Sequence, residues 1–234
     1  GDENTEGTST TSKVTVPKYD TPMSVTVENI KAGDNAIITV NVPDGATGNV
    51  TIEIDGVQYT GEIKNGKATI AVKDLTVGNK SVYVKYDGDD KYNANITTAQ
   101  FSVDKRNTTV KAIIEDIEAG ENLKVTVILP DDATGQVLID IDGVGYYVNV
   151  TNGVGITEIP NISNGTYNVV VTYTGDDKYL PSSTNSSVNV TKVESYVIPN
   201  AVNITAGEIE IIKFTIPADA TGTYIIDKVM LVEV

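Results

Sequence analysis

Residues 86–92 read Tyr-Asp-Gly-Asp-Asp-Lys-Tyr, and residues 173–179 read Tyr-Thr-Gly-Asp-Asp-Lys-Tyr. The two segments stand 87 residues apart, and at that offset residues 25–103 align with 112–190 without a gap, with 32 identities in 79 positions. So regular a match marks an internal duplication, and a repeat period governs the reading of everything around it. Working outward, Ala32-Gly33 falls on Ala119-Gly120, Pro43-Asp44 on Pro130-Asp131, and Ala46-Thr47-Gly48 on Ala133-Thr134-Gly135. Asp55-Gly56 falls on Asp142-Gly143 and Asn65-Gly66 on Asn152-Gly153. The same offset places Ala206-Gly207, Pro217 and Ala220-Thr221-Gly222 as the opening of a third copy, which carries Val229-Met230 where Asp-Gly stands in the others. Run backwards, it lays Val14 and Val16 on Phe101 and Val103, so residues 1–18 have the phase of the last strand of a repeat.

Inside a repeat the apolar period is two, the pattern of strands with one buried face. Val50, Ile52 and Ile54 alternate with Thr51, Glu53 and Asp55, and Val137, Ile139 and Ile141 do the same. Between such runs lie Pro-Asp, Asp-Gly and Asn-Gly, the last two able to take the positive φ of a tight hairpin. No stretch shows helical spacing with caps. The first copy predicts about seven strands, near 24–29, 35–42, 49–55, 57–64, 67–73, 80–87 and 95–104. Seven short antiparallel strands in under 100 residues define an all-β protein of tandem immunoglobulin-like β-sandwich repeats, with an aliphatic core in place of a disulfide and Trp. The expected division is an N-terminal strand in 1–18, repeats in 19–106 and 107–193, and an incomplete third repeat in 194–234.

These residues carry a resemblance. The Tyr-x-Gly-Asp-Asp-x-Tyr segment ahead of a Thr/Ser-rich final strand, with the Ala-Gly and Pro-x-x-Ala-Thr-Gly turns upstream, resembles the bacterial-Ig-like repeats of adhesin-like cell-surface proteins, those of methanogenic archaea in particular. The resemblance implies an exported protein at the cell surface, built of repeats in tandem, and it carries over no catalytic residue.

Composition narrows the function further. The 234 residues hold 17 Lys+Arg against 32 Asp+Glu, a net charge of −15 that repels nucleic acid and anionic membrane surfaces. There is no Cys, His or Trp, which removes disulfides, thiolate nucleophiles, imidazole bases and Cys/His zinc sites. No window approaches the roughly 18 apolar residues of a membrane-spanning helix. The expectation is a protein that is not an enzyme, binds no cofactor and does not insert in a membrane. Ten of the twenty asparagines open an Asn-x-Ser/Thr sequon: Asn49, Asn79, Asn95, Asn107, Asn149, Asn161, Asn164, Asn185, Asn189 and Asn203. That is about threefold above chance and reads as a glycosylated extracellular surface, or as the by-product of a Thr- and Asn-rich strand composition.

Other constellations have two readings each. Asp87, Asp89 and Asp90 offer three acidic oxygens on one turn, as a calcium site would, but their spacing is not that of a calcium loop and Thr174 replaces Asp87 in the second copy. Lys91 and Lys178, at equivalent positions, are candidates for Lys-Asn isopeptide bonds, although both fall in a polar turn. Tyr59, Tyr83, Tyr146 and Tyr147 either stack on surface glycans or stand half-buried on strands. Finally, a sandwich that stops after three or four strands exposes core and edges. Counted in the numbering of the first copy, the third copy reaches position 60 and residues 1–18 resume at position 88, so positions 61–87 are lacking between them. The expectation is a stalk or filament in which Val14 and Val16 belong to a strand donated head-to-tail to the next copy of the chain, or else an excerpt of a longer tandem array whose adjacent repeats complete it. A carbohydrate- or host-binding module is the alternative.

Overall fold

In the computed structural model, the described residues are 2–200 and, beyond them, 205, 207–208, 212–218, 220–223 and 225. They contain strands and no helix. The first sandwich sets a three-stranded sheet, β1 (Ser24–Thr26), β3 (Ala36–Asn41) and β6 (Lys67–Val72) in the order β1-β3-β6, against a five-stranded sheet. The latter runs β2 (Ile30–Lys31), β8 (Asn95–Asp104), β7 (Gly78–Tyr86), β4 (Asn49–Ile54), β5 (Val57–Glu62). The second sandwich repeats this plan with β9 (Lys111–Ile114), β11 (Leu123–Ile128) and β14 (Val154–Ile159) facing β10 (Ile117–Glu118), β16 (Ser182–Thr191), β15 (Gly165–Tyr173), β12 (Gln136–Ile141) and β13 (Val144–Asn149). In the third copy β17 (Ile198–Asn200) pairs with β18 (Lys213–Thr215). Its register, Ile198 opposite Thr215, is the register of Lys111 opposite Ile128 and of Ser24 opposite Asn41 moved by the repeat period.

Alternation puts the cores where the sequence reading expects them. Ile38, Val40, Val50, Ile52, Val82, Val84 and Tyr86 close the first, and Val125, Val127, Val137, Ile139, Val169, Val171 and Tyr173 the second. Asp55-Gly56, Asn65-Gly66 and their counterparts all have positive φ, as the hairpin reading requires. Gly153 is required twice over, because a Cβ there would stand 2.6 Å from the Pro130 carbonyl oxygen and 2.8 Å from that of Leu129.

The expected first strand at 24–29 is shorter, and a second short strand outside that range follows it at Ile30–Lys31. Ser24–Thr26 lies antiparallel to β3, then the chain crosses to the other sheet, where Ile30–Lys31 runs parallel to Val103–Asp104 of β8. Half-buried Val27 packs on the core during the crossing, and the Asn29 side-chain oxygen accepts the Ser102 N–H at 2.8 Å. In the second sandwich Asp116 accepts the Asn189 N–H at 2.7 Å. The alternation slips at the crossing, where the half-buried residues Val25, Val27 and Ile30 leave Glu28 and Asn29 side by side in solvent, and the second sandwich has the same slip between Ile114 and Ile117.

The two copies solve one packing corner in opposite ways. Gly61 on β5 faces Ala68 and Ile70 on β6, and a Cβ at Gly61 would come within 2.6 Å of Ile70 Cγ1. In the second copy the large residue is Val148 on β13 and the glycine is Gly155 on β14, whose added Cβ would meet Val148 Cγ1 at 3.0 Å. Gly61→Val alone is therefore expected to destabilise the first sandwich by about 1–3 kcal/mol through overpacking. The triple change Gly61→Val, Ala68→Gly, Ile70→Thr, which copies the second sandwich, is expected to recover most of that loss in denaturant unfolding. Equal stability of the single and triple variants would contradict the packing account.

Candidate functional site: a turn that clasps the linker

The duplicated Gly-Asp-Asp-Lys-Tyr segment forms the turn between the last two strands of each sandwich. Gly88 has φ of +82° and Gly175 of +84°, and a Cβ at either would collide with backbone of the same turn, at 2.7 Å from the Tyr92 oxygen and 2.6 Å from the Tyr179 oxygen. The next residue binds the turn to the rest of the sandwich. Asp89 accepts four hydrogen bonds: from the Lys91 and Tyr92 N–H groups of its own turn at 2.8 and 2.7 Å, and from the Thr47 N–H and hydroxyl at 2.8 and 3.0 Å. Asp176 repeats the set with Lys178, Tyr179 and Thr134 at 2.8, 2.8, 2.8 and 3.1 Å. The motif's tyrosines reach the same strand-connecting turn. Tyr86 donates to the Thr47 carbonyl at 3.1 Å and Tyr173 to that of Thr134 at 2.9 Å, while Tyr92 donates to the Asp44 carbonyl and Tyr179 to the Asp132 carboxylate.

Partial burial opposes ionisation of Asp89, but the backbone donors of Thr47, Lys91 and Tyr92 together with the Thr47 hydroxyl outweigh it and hold the carboxyl well below the usual carboxylate range. Asp176 is lowered by the same balance. Burial pushes Tyr86 up to about 12, with Asp89 adding to the effect, and the hydrogen bond to Asp132 is the first cause that lifts Tyr179 to about 12. These carboxylates are structural acceptors. Asp87 turns away to Lys85 at 2.7 Å, so Asp87, Asp89 and Asp90 do not converge, and among the described residues no group of three or more acidic side chains is placed to hold a metal ion.

The turn has an outward task as well. Its backbone holds the chain that enters the sandwich: the Tyr19 N–H donates to the Lys91 carbonyl at 2.8 Å and the Asn93 N–H to the Tyr19 carbonyl at 2.9 Å. One period on, the Arg106 N–H donates to Lys178 at 2.8 Å and the Leu180 N–H to Arg106 at 2.9 Å. Tyr19 also stacks at a tilt on Tyr92, with ring centroids 6.0 Å apart. Arg106 links the two sandwiches. Its backbone belongs to the second, while its guanidinium returns to the first, donating to the Ala32 carbonyl at 2.5 Å and pairing with Asp34. The Lys105 ammonium donates to the Asp176 carbonyl. Two residues after the end of β8 the chain is thus held from both sides.

The other singled-out residues are scattered. Nine sequon asparagines, Asn49, Asn79, Asn95, Asn107, Asn149, Asn161, Asn164, Asn185 and Asn189, are all exposed, and Asn203 lies outside the described residues, as does Val229-Met230. Asn95 differs in donating its side-chain amide to the Thr21 carbonyl at 2.6 Å. Val14 and Val16 are 84% and 83% exposed and belong to no strand. Lys91 and Lys178 are exposed, with the Lys178 ammonium on Asp132 at 2.9 Å. Tyr83 and Tyr147 are exposed, whereas Tyr59 and Tyr146 pack on the cores. Sequence reasoning passed over Lys80, which is buried with its ammonium on Asp55 at 2.6 Å and Thr76 at 2.7 Å. Its position, in phase with Val82, Val84 and Tyr86, was the signal. Arg106 was passed over too, although it is the sole arginine of the sequence.

Two stacked sheets in each of the first two copies, in tandem, make these immunoglobulin-like repeat modules. Residues 1–104 match the family model described as the bacterial Ig-like domain (group 3), and the second repeat is the duplicate of most of that segment. No curated protein matches the sequence. Similar solved structures include the fibronectin(III)-like modules of CbhA from Clostridium thermocellum, at 16% identity and a TM-score of 0.33 over 72% of this chain and 95% of that one. The titin domains Z1Z2 in complex with telethonin match at 13% identity and a TM-score of 0.42 over 76% and 100%. A 1.5-MDa bacterial ice-binding adhesin matches at 15% identity and a TM-score of 0.32 over 75% of this chain and 66% of that one.

A carboxyl whose folded-state pKa lies below its unfolded value of about 3.9 adds stability that is fully present above that value and is lost as pH falls through the folded one. The double variant Asp89→Asn, Asp176→Asn is therefore expected to melt at lower temperature at neutral pH and to lose less on acidification below about pH 4 than the parent. Melting followed by circular dichroism across pH tests this, and parallel curves for the two proteins would contradict it.

Proposed function

We propose that the chain is a segment of an extracellular stalk on a cell surface, a spacer without chemistry of its own. The clasped linker is the observation that carries this reading. A chain that merely strings domains together needs no contact at the joint, whereas here the Gly-Asp-Asp-Lys-Tyr turn grips the entering strand and Arg106 joins it to the preceding sandwich. Such joints give nearest-neighbour coupling along a repeat array, so an array resists bending at the junctions built this way. The match of residues 1–104 to a bacterial Ig-like domain supports the surface setting, as does the exposure of every described sequon asparagine, which suits a glycosylated exterior.

Residues 8–18 extend the proposal to assembly. In both sandwiches the last strand is interior to its sheet, flanked by β7 and β2 or by β15 and β10, and Phe101 and Val103 complete the core. Val14 and Val16 have the same phase and stand in solvent. In the proposed arrangement they enter an immunoglobulin-like sandwich outside this pair, and donation from one copy of the chain to the next grows a head-to-tail filament, since such a contact does not close on itself.

Deleting residues 1–18, or making Val14→Asp with Val16→Asp, is expected to abolish polymers of the full chain in negative-stain microscopy and to leave a monomer by light scattering. Both variants spare the two cores, so each should keep the parent melting temperature. Polymers unchanged by either variant would overturn strand donation.

A further inference from the structure

We infer that the second sandwich carries a binding site for the guanidinium group of an arginine presented by another polypeptide segment, at the corner formed by Ala119, Gly120 and Glu121. The first sandwich supplies the template. There the turn Lys31–Asp34 is closed by the Asp34 N–H donating to the Lys31 carbonyl at 2.9 Å, and one oxygen of Asp34 accepts the Lys31 N–H at 3.3 Å. The other oxygen of Asp34 takes the guanidinium of Arg106, and the Ala32 carbonyl takes its Nε–H. Gly33 leaves room: a Cβ there would lie 4.0 Å from Nε and from the terminal nitrogen.

One period later the turn is built the same way. The Glu121 N–H donates to the Glu118 carbonyl at 3.1 Å, and one carboxylate oxygen of Glu121 accepts the Glu118 N–H at 2.9 Å. Ala119 is fixed by its N–H on the Thr191 carbonyl at 2.8 Å, as Ala32 is by its N–H on Asp104 at 2.8 Å. A Cβ on Gly120 would meet nothing within 4 Å. The residue at the place of Arg106 is Val193, which is 55% exposed and has no donor to offer. The turn that holds a guanidinium in the first copy thus receives none from Val193 in the second, and Glu121 also lines a neighbouring open cavity of about 640 Å³ to which Ala119 and Gly120 do not contribute.

The cavity lining keeps the net charge of its first-copy counterpart, because Lys124 stands where the first copy has Ile37 and offsets the added Asp116. Its acidic residues are Glu115, Asp116 and Glu121, where the first copy has Glu28, Asn29 and Asp34. Asp116 has one oxygen on the Asn189 N–H, and Lys124, the one cation on the lining, makes no ion pair among the described residues. A carbonyl and a carboxylate side by side favour arginine over lysine, because the planar fork satisfies both acceptors at once whereas an ammonium is a point charge. Arg106 is the only arginine of the 234 residues and is held by the first sandwich, so the ligand comes from another segment.

The test uses the full chain and N-acetyl-arginine amide as the probe, titrated while amide resonances are followed by NMR. Saturable shifts are expected at Gly120 and Glu121, with a dissociation constant on the order of millimolar for so small a ligand. Glu121→Gln keeps an oxygen for the Glu118 N–H but removes the charge, and should weaken binding about tenfold. N-acetyl-lysine amide should bind several times more weakly. Val193→Arg supplies the group in cis, and the side-chain Nε–H it introduces should exchange with solvent as slowly as that of Arg106. The inference is overturned if Gly120 and Glu121 do not respond, if lysine amide binds equally, or if the Nε–H introduced by Val193→Arg exchanges as fast as in free arginine. None of these readouts depends on filament formation, so the stalk proposal stands or falls separately.

Discussion

One half-buried acceptor does much to order each repeat. The Asp89 carboxylate, and Asp176 after it, gathers two N–H groups of its own turn and the N–H and hydroxyl of a threonine 42 residues earlier in the chain. A hairpin turn held only by its flanking strands would be free to sway. This one is tied across the end of the sandwich, so the carbonyl and N–H groups on its outer side are fixed in place. Because they are fixed, they serve as a docking edge for the residue that enters from the preceding unit, Tyr19 in one copy and Arg106 in the other. The linker clasp is a consequence of the tether, and the repeat joint is a consequence of the clasp.

The duplication shows which parts of this arrangement the fold requires and which it tolerates changing. Glycine, aspartate and tyrosine recur at the turn because each meets a constraint of geometry there: a backbone too close for a Cβ, four converging donors, and a carbonyl at the bottom of the sandwich. Elsewhere the copies diverge in compensated sets. Gly61 with Ala68 and Ile70 becomes Val148 with Gly155 and Thr157. Buried Lys80, bound to Asp55 and Thr76, becomes Tyr167, whose hydroxyl donates to the Ser163 carbonyl at 2.8 Å. Residue 106 is arginine and residue 193 is valine, so the joint after the first sandwich is tied by a side chain that the next joint does not possess.

Most of the fold was legible because strand alternation and hairpin chemistry are local signals. Val50, Ile52 and Ile54 declare their face without reference to any partner, and Asp-Gly and Asn-Gly declare positive φ. The crossing from one sheet to the other leaves a local trace, the three-residue step from Val27 to Ile30, but no local signal names the distant parallel partner, Val103 of β8, that the second piece takes. The candidate site was legible as a motif and misleading as chemistry. Three acidic residues on a turn look like cation ligands until the threonine 42 residues away is brought beside Asp89, and no spacing rule announces that contact. Lys80 and Arg106 were hidden for a related reason: the meaning of a single cation lies in the acceptor the fold brings to it, Asp55 in one case and Ala32 with Asp34 in the other.

The claim that the tethered turn clasps the linker is tested most directly by hydrogen exchange at one backbone amide, the Arg106 N–H. With the full chain in solution, that amide should exchange at a rate close to those of the Leu180 amide and the neighbouring strand β16, and Asp176→Ala should speed the exchange of Arg106 while leaving the amides of β12 protected. Exchange of the Arg106 N–H at the rate of an unstructured peptide, or protection indifferent to Asp176→Ala, would contradict the account.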